Sequence, residues 1–367
     1  GRLMPLIQRI ALHMGLARWA LLYVDDLLAL LLFADVNDLF EQSAVLLCFL
    51  LVIGLPVSWK KFVIGIKAAW IGHLICLSSW TLQPTEAKAD KCLRFLLQIV
   101  TSPRMDLKSL EQGVGLVRFV VEVLPHLTPW LQPLHTWAAG LRFSRMNQAS
   151  GRPGALHMAI ANFLISEIEA VKKGFKRGRL LVSPALEGGV GGSDARADDV
   201  SAALGGWWSK VCPPVKGECY WFSVRVLAKD HSWAFDRGSP QRRISALELL
   251  ATVYLVHLAG HWGGPGHAHF SVRGITDSEC NSFALLRMYS KKLPGALVHM
   301  ELAAVCDKYG VFPRVSHRRR SENTWADDLS EEKFSGWAPA LRWLPGGGPC
   351  DYLVLDTLVA AAQEGAR

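Results

Sequence analysis

The chain has 367 residues, half of them hydrophobic and 20% charged, so it can bury cores for two or three domains. Its formal net charge of +8 favours a polyanionic partner. The eight cysteines include no Cys-x-x-Cys pair, which excludes a zinc ribbon and a dense disulfide framework and favours a reducing compartment.

The N-terminal residues do not have the pattern of a targeting segment. No charged region precedes a cleavable apolar stretch, so we expect an intracellular protein, cytoplasmic or nuclear, that is not secreted. The apolar residues 44–53 are fewer than the roughly 20 that cross a bilayer, and they predict a buried helix and no membrane partner. A basic membrane-associated protein is the alternative that this stretch leaves open. The chain starts with Gly, and we expect it to be a fragment.

Residues 1–20 predict a helix because apolar residues recur at helical spacing. Strands near 19–24 and 27–33 then flank the adjacent acids Asp25 and Asp26. Two carboxylates between apolar runs are costly unless a partner compensates them, and the nearest basic residues are Arg18 and Lys60. A divalent cation such as Mg²⁺, which prefers carboxylate oxygen, would fill that role. A helix start or a loop is the alternative for two adjacent acids.

Residues 21–28, Leu-Leu-Tyr-Val-Asp-Asp-Leu-Leu, resemble the catalytic hairpin of reverse transcriptases. In that family a Tyr-x-Asp-Asp turn joins two palm strands and carries two of three metal-binding aspartates. The resemblance implies that Asp25 and Asp26 bind Mg²⁺ and that the intact polymerase binds an RNA template and a DNA primer. The third aspartate belongs to an earlier palm strand, which this sequence lacks, so we expect the chain not to polymerise DNA.

A helix is predicted over 35–55, ended by Gly54, Leu55 and Pro56. Residues 57–62 and 69–74 then resemble two further palm motifs, a short lysine-bearing segment and a Trp-x-Gly hairpin. The family places a lysine of the first motif near the phosphates of the incoming nucleotide, which implies Lys60 or Lys61. A solvated surface turn is the alternative for this pair.

Residues 84–145 are predicted to be helical and resemble the thumb or connection of retroelement polymerases. Gly113 and Gly115 lie within a predicted helix, where each costs about 1 kcal/mol and indicates close approach of another backbone. That partner is either a template–primer grip or a tightly packed helix, and packing is the favoured interpretation.

A helix over 155–171 precedes a basic run at 172–179 that suits phosphate contact, with an exposed linker as the alternative. The lysines and arginine predicted to bind nucleic acid are Lys172, Lys173, Lys176 and Arg177. The glycine-rich residues 188–192 are predicted to form a domain boundary.

Four acids further along resemble those of the ribonuclease H fold: Asp194, Glu248, Asp277 and Asp327. Strands are predicted over 200–208, 220–227 and 270–276, and Asp194 would precede or end the first strand of the sheet. Glu248 lies on a predicted helix and projects towards the sheet. Asp198 or Asp199 could replace Asp194 as a ligand, and Asp328 is adjacent to Asp327.

The ribonuclease H resemblance implies two Mg²⁺ ions held by the four acids, an arrangement used for in-line phosphoryl displacement. It also implies that His317, predicted to lie in a loop with three arginines, assists the reaction. The predicted activity is hydrolysis of the RNA strand of an RNA–DNA hybrid. A catalytically dead remnant that only binds nucleic acid is the alternative.

The predicted fold is mixed α/β and multidomain. We expect a partial palm at 1–83, a helical thumb or connection at 84–185, a ribonuclease H-like domain with a mixed central sheet at 186–335, and a tail at 336–367. The tail carries no recognisable chemistry, and the sequence does not predict an oligomeric state.

Overall fold

The computed structural model of the chain describes residues 3–23, 26–32, 34–55, 57–143, 150–176, 178–181, 186–263, 270–276, 278–288, 290, 292–344 and 349–365. The chain divides into two compact units, Gly1–Lys88 with Arg177–Leu181, and Ala89–Lys176 with Val182–Arg367. Helices and four separate sheets confirm the predicted mixed α/β, multidomain class.

The first unit contains two short antiparallel sheets and two helices. Its elements are α1 (Leu3–His13), β1 (Trp19–Tyr23), β2 (Asp26–Leu30), α2 (Val36–Val52), β3 (Lys67–Trp70), β4 (His73–Cys76), β5 (Thr81–Pro84) and, from later in the chain, β8 (Arg179–Leu180). Strands β1 and β2 pair with Tyr23 opposite Asp26, which confirms the predicted hairpin. Asp26 begins β2 and is partly buried, whereas Asp25 lies outside the described residues.

Helix α2 begins at the expected place because the carboxylate of Asp35 accepts the backbone N–H of Asp38 at 3.0 Å. The predicted Trp-x-Gly hairpin is also confirmed, since β3 and β4 pair around a turn in which Gly72 has φ +86°. Lys60 and Lys61 are exposed in a turn that precedes this hairpin.

The second unit starts with helices and continues into a five-stranded sheet. Its helical part contains α3 (Glu86–Thr101), β6 (Met105–Asp106), α4 (Leu107–Val121), α5 (Leu131–Arg142), β7 (Ser150–Gly151) and α6 (Ala155–Lys172). A Cβ atom on Gly113 would lie 1.9 Å from the Phe95 ring, so this glycine allows close helix packing. Gly115 has open space instead, so packing does not explain it.

The five-stranded sheet has the order β11-β10-β9-β12-β13. Its elements and flanking helices are β9 (Leu186–Ala197), β10 (Ala202–Ser209), β11 (Tyr220–Val226), α7 (Ser232–Phe235), α8 (Ile244–Trp262), β12 (Phe270–Thr276), α9 (Glu279–Arg287), α10 (Gly295–Tyr309), β13 (Val311–His317), α11 (Thr324–Ser330) and α12 (Leu355–Glu364). The first three strands are antiparallel, and β12 and β13 run parallel to β9. This is the mixed central sheet that the ribonuclease H resemblance predicts.

The prediction of a domain boundary at 188–192 is wrong, because these residues lie within central strand β9. The glycines are required by close approach. A Cβ atom on Gly191 would lie 2.6 Å from the Trp207 carbonyl oxygen, and one on Gly192 would lie 2.9 Å from Oδ1 of Asn323. Large neighbours on the next strand and helix therefore occupy the space that side chains here would need.

Helices cover the two faces of the sheet differently. A Cβ atom on Gly191 would meet Leu255 of α8, whereas one on Gly205 would meet the backbone N of Ser330 in α11. The two helices therefore lie on opposite faces. Helix α8 belongs to a helical segment, Pro240–Trp262, that is apolar and long enough to cross a membrane. However, 72% of its most apolar stretch is buried inside the protein. Its apolar side chains are those of a core helix.

The residues after 336, for which the sequence gives no role, pack into the same unit. Trp337 joins a buried cluster with Trp221, and Leu355 and Leu358 of α12 are buried. The fully buried carboxylate of Glu301 accepts backbone N–H groups at 2.8–2.9 Å from three successive residues, Leu353, Val354 and Leu355. This contact fixes the start of α12 to α10.

Candidate active site

Asp194 lies inside β9, only 7% exposed, with its side chain on the α11 face. Its Oδ2 is 3.1 Å from Oγ of Ser330, and the same hydroxyl is 2.9 Å from the backbone carbonyl oxygen of Asp327. One hydroxyl group therefore connects the Asp194 carboxylate to the helical turn that carries Asp327. The packing of α11 on the sheet therefore brings the backbone of Asp327 near the carboxylate of Asp194.

The end of β12 adjoins this position. Ile275 is opposite Gly192 in the parallel pairing, and β12 stops at Thr276, whereas β9 continues through Asp194 to Ala197. The last described residue of β12 is therefore one step short of the level of Asp194. Asp277, the third predicted ligand, lies outside the described residues.

Glu248 approaches from the other face of the sheet. One helical turn after it, Oγ1 of Thr252 lies 3.3 Å from Oγ of Ser193, the residue before Asp194. The Nδ2 group of Asn281 donates to Oε2 of Glu248 at 3.0 Å and to the Ser245 carbonyl oxygen at 2.9 Å. Because Asn281 lies in α9, directly after the end of β12, it holds the Glu248 carboxylate beside that end.

The adjacent acids of α11 have different partners. Oδ1 of Asp327 accepts from Nε of Arg320 at 3.1 Å, whereas Oδ2 of Asp328 is 3.3 Å from Nζ of Lys216, a residue of the β10–β11 connection. Asp327 and Ser330 are three residues apart in α11, so they lie on the same side of the helix, which Asp328 does not share.

Asp198 and Asp199, the alternatives to Asp194, lie in the turn between β9 and β10. The Asp198 carboxylate accepts backbone N–H groups of Val200 and Ser201 at 2.9 and 2.7 Å. The hydrogen bond from the Ser201 hydroxyl, followed by these two backbone bonds, lowers the pKa of Asp198. Asp199 is 3.2 Å from the Ser239 hydroxyl. The Asp198 carboxylate thus stabilises the hairpin turn, as in an Asx turn.

The prediction that His317 lies in a loop is wrong, because it is the last residue of β13 and pairs with Thr276. Pro313 obscured this strand in the sequence, since proline cannot donate a ladder hydrogen bond. It is tolerated because β13 is at the edge of the sheet. The His317 side chain is exposed next to the end of β12.

The lysines of the predicted nucleic-acid-binding run form ion pairs within the protein. Nζ of Lys172 is 2.6 Å from Asp90, and Nζ of Lys173 is 2.9 Å from Glu169. Nζ of Lys176 lies 2.6 Å from a carboxylate oxygen of Glu167 and 2.7 Å from one of Asp307. Arg177 lies outside the described residues.

The Lys176 cluster also contains His126, and its members are too far apart in sequence for a short pattern to indicate the cluster. His126, Glu167 and Asp307 each offer one ligand atom within 4.8 Å of the others. The ammonium group of Lys176 already contacts both carboxylates, so a lysine supplies the positive charge that a metal ion would bring. Burial would raise the pKa of Glu167, but the imidazole of His126, 3.4 Å away, and the hydrogen bonds from Lys176 outweigh burial and lower that pKa.

No family model matches the chain, and no curated protein matches it in sequence. Among solved structures it is similar to RNase H1 from the halophilic archaeon Halobacterium salinarum, at 15% identity and a TM-score of 0.28, over 40% of this chain and 96% of that one. It is similar to a foamy viral protease-reverse transcriptase in complex with an RNA/DNA hybrid, at 14% identity and a TM-score of 0.35, over 89% of this chain. It is also similar to a structure of the foamy viral protease-reverse transcriptase in complex with double-stranded DNA, at 16% identity and a TM-score of 0.35, over 85% of this chain.

The chain spans 60% and 58% of the two viral chains.

Proposed function

We propose that the second unit is a divalent-metal-dependent nuclease of the ribonuclease H type, which hydrolyses the RNA strand of an RNA–DNA hybrid. The observation that carries this proposal is the hydroxyl of Ser330 between the Asp194 carboxylate and the backbone of Asp327. Together with Glu248, which Asn281 holds beside the end of β12, it supports a site to which a strand and two helices contribute acids.

The donor set fits hard divalent cations. Carboxylate oxygens are the ligands that Mg²⁺ prefers, and we propose that Mg²⁺ is held by Asp194, Glu248, Asp277 and Asp327. When bound, cations of this class neutralise charge at the phosphate and lower the pKa of water.

Neighbouring residues orient these carboxylates. The Ser330 hydroxyl fixes Oδ2 of Asp194, and the Asn281 amide, itself bonded to the Ser245 carbonyl, fixes Oε2 of Glu248. Such supporting contacts typically change metal affinity or activity 10–100-fold when they are removed. The exposed imidazole of His317, next to the end of β12, would exchange protons with solvent during hydrolysis.

We also propose that the first unit is a partial palm of a retroelement reverse transcriptase, within a retrotransposon-type polyprotein. The hairpin with Tyr23 opposite Asp26 supports this assignment, because β1 ends and β2 begins within the Tyr-Val-Asp-Asp sequence. Asp25 and Asp26 would bind Mg²⁺, and Lys60 or Lys61 would contact phosphate. The partners of the intact polymerase would be an RNA template and a DNA primer.

A specific contact favours a second candidate, a remnant that binds nucleic acid without cleaving it. Arg320 bonds to the carboxylate of Asp327 and would compete with a metal ion for it. This candidate predicts salt-dependent hybrid binding and no cleavage at any Mg²⁺ concentration.

The deciding experiment measures cleavage of an RNA–DNA hybrid in Mg²⁺ by the full chain. We expect the wild type to cleave the RNA strand, and Asp327→Asn to reduce the rate by about 100-fold or more. The matched control is Asp328→Asn, which removes the neighbouring acid and should leave the rate within roughly threefold. Binding without cleavage by the wild type would select the second candidate, and equal losses in both variants would reject the assigned ligand.

A further inference from the structure

Alternate side chains of β12 and β13 point to opposite faces of the sheet. Val272 and Val315 are buried, and a Cβ atom on Gly274 would lie 3.7 Å from Leu255 of α8, so these positions face α8. Arg273 and Arg314 therefore face the other side, the α11 face, to which Asp194 also points. Both arginines are exposed, and they are direct partners in the parallel register.

Two like charges opposite each other on neighbouring strands destabilise a sheet, because the strands are only about 4.8 Å apart. A charge on an edge strand such as β13 can protect against unwanted strand pairing. That role explains a single exposed Arg314, but it does not explain a second cation placed beside it. Arg273 already has an interaction within the protein, so Arg314 is the cation of this pair that is left to bind a polyanion.

The row of arginines continues along β13 towards the candidate site. Arg318 is four residues after Arg314, so the strand pattern places both on the same side of the sheet. The backbone N–H of Arg318 donates to the Thr276 carbonyl oxygen at 2.9 Å. At about 3.3 Å per residue, the backbone positions of the two arginines are roughly 13 Å apart. The row therefore leads to the end of β12, beside the proposed ligands.

Few carboxylates neutralise this row. Among the described residues, Arg314 forms no ion pair or hydrogen bond through its side chain. Arg318 has one partner, Glu322 at 3.6 Å, and both side chains are more than half exposed, so the pair contributes little. By contrast, the side chains of Lys172 and Lys176 are only about one-third exposed, and the ammonium group of each lies 2.6 Å from a carboxylate oxygen.

We propose that Arg314 and Arg318, with Arg273 beside them, bind the phosphate backbone of the nucleic acid at the candidate site. The inference rests on the proposed nuclease function and adds to it the surface that holds the substrate. A planar guanidinium group forms two parallel hydrogen bonds to a phosphate. Arginines in a row match the repeating phosphates of a nucleic acid better than they match a single acidic side chain. The basic run at 172–176 then has a structural role.

The test measures the dissociation constant of the full chain for a fluorescently labelled RNA–DNA hybrid without divalent cations, at several salt concentrations. We expect Arg314→Gln to raise the dissociation constant at least threefold and to lower the slope of log K against log salt by about 0.9. Arg314→Lys should keep the slope, because it keeps the charge. Lys173→Gln, which removes an exposed but paired cation, is the matched control and should change neither quantity.

Thermal unfolding separates this role from a structural one. Removing one of two facing cations should leave the melting temperature of Arg314→Gln unchanged or raised while the hybrid affinity falls. An unchanged salt slope in Arg314→Gln, or a lowered slope in Lys173→Gln, would overturn the proposal. Competition by polyglutamate with the hybrid at equal charge concentration would also overturn the proposal, because an acidic protein would then be the fitting partner.

The outcomes for the two proposals are distinguishable. Cleavage by the wild type with an unchanged slope in Arg314→Gln rejects the arginine surface alone. Binding that depends on Arg314, with no cleavage in Mg²⁺, rejects the nuclease alone. A wild type that does not bind the hybrid rejects the surface.

Discussion

Helices α2 and α8 are both strongly apolar, yet the two units use them differently. In the first unit only Ser43 and Leu46 of α2 are buried, and Phe40 and Val52 are 60% and 86% exposed. In the second unit 13 residues of α8 are buried beneath the sheet. Apolar composition therefore predicts a helix in both cases but not its burial, which depends on the elements that surround it. The candidate nuclease site is built on the better-packed scaffold.

The largest expected effect separates the catalytic roles of the two units. Asp194→Asn should reduce hybrid cleavage by about 100-fold or more, because it removes a proposed metal ligand. Asp26→Asn in the first unit should leave the same rate unchanged within roughly twofold, since the hydrolysis needs no group from the hairpin. Single-turnover cleavage of a labelled hybrid measures both, and a large loss in Asp26→Asn would break the comparison.

Core substitutions test the difference in packing. Leu250→Ala in α8 should lower the free energy of unfolding by about 2–5 kcal/mol, because the side chain is fully buried. Phe40→Ala in α2 should change it by less than about 0.5 kcal/mol, because the ring is mostly exposed. Urea unfolding followed by tryptophan fluorescence measures both changes. A cost above 2 kcal/mol for Phe40→Ala would mean that α2 is covered in solution.

The Lys176 cluster should make the second unit sensitive to acid. The folded pKa of Glu167 lies below its ordinary value, so its contribution is present above the ordinary carboxyl pKa and is lost as the pH falls through the lowered one. Lys176→Met should lower the free energy of unfolding by about 1–3 kcal/mol at pH 7, because the carboxylates of Glu167 and Asp307 lose their cation.

The difference in stability between the wild type and Lys176→Met should become smaller as the pH is lowered. Unfolding midpoints at several pH values measure this difference. The control is Lys173→Met, which breaks an exposed helical pair worth about 0.3–0.5 kcal/mol. A gap for Lys176→Met that stays constant down to pH 3 would contradict the role of Glu167.

The smallest expected effect concerns Arg320. Replacing it with Gln removes a competitor for the Asp327 carboxylate, so half-maximal cleavage should need less Mg²⁺. An exposed pair of this kind is worth about 0.2–1 kcal/mol, which corresponds to roughly a 1.4- to 5-fold shift. A Mg²⁺ titration of the cleavage rate measures this shift, and a higher requirement would mean that Arg320 orients Asp327 for the metal.

Local patterns predicted most of the elements. The Tyr-Val-Asp-Asp hairpin, the strand that ends at Thr276 and the helix that carries Glu248 follow from periodicity, turn residues and the resemblance to known families. The failures have non-local causes. The glycines at 188–192 read as a linker because the tryptophans and the helix that require them are distant in sequence.

The site was predictable as a set of acids but not as an arrangement. Nothing near Ser330 in the sequence shows that its hydroxyl reaches Asp194, 136 residues earlier. The pairing of Lys176 with Asp307 spans 131 residues, so a basic run that suits phosphate contact can instead be neutralised by the fold. Contacts of this kind depend on the tertiary structure, which short patterns do not encode.

The carboxylate of Glu301 has a practical consequence for anyone who shortens this chain. An expression clone that stops at residue 335, where the recognisable nuclease motifs end, would delete the three amide donors at 353–355. It would leave the carboxyl group of Glu301 without these three donors, and a buried polar group that loses its partners costs about 1–3 kcal/mol. Such a clone would yield insoluble or inactive protein even if every proposed metal ligand were intact, and its inactivity would say nothing about the chemistry.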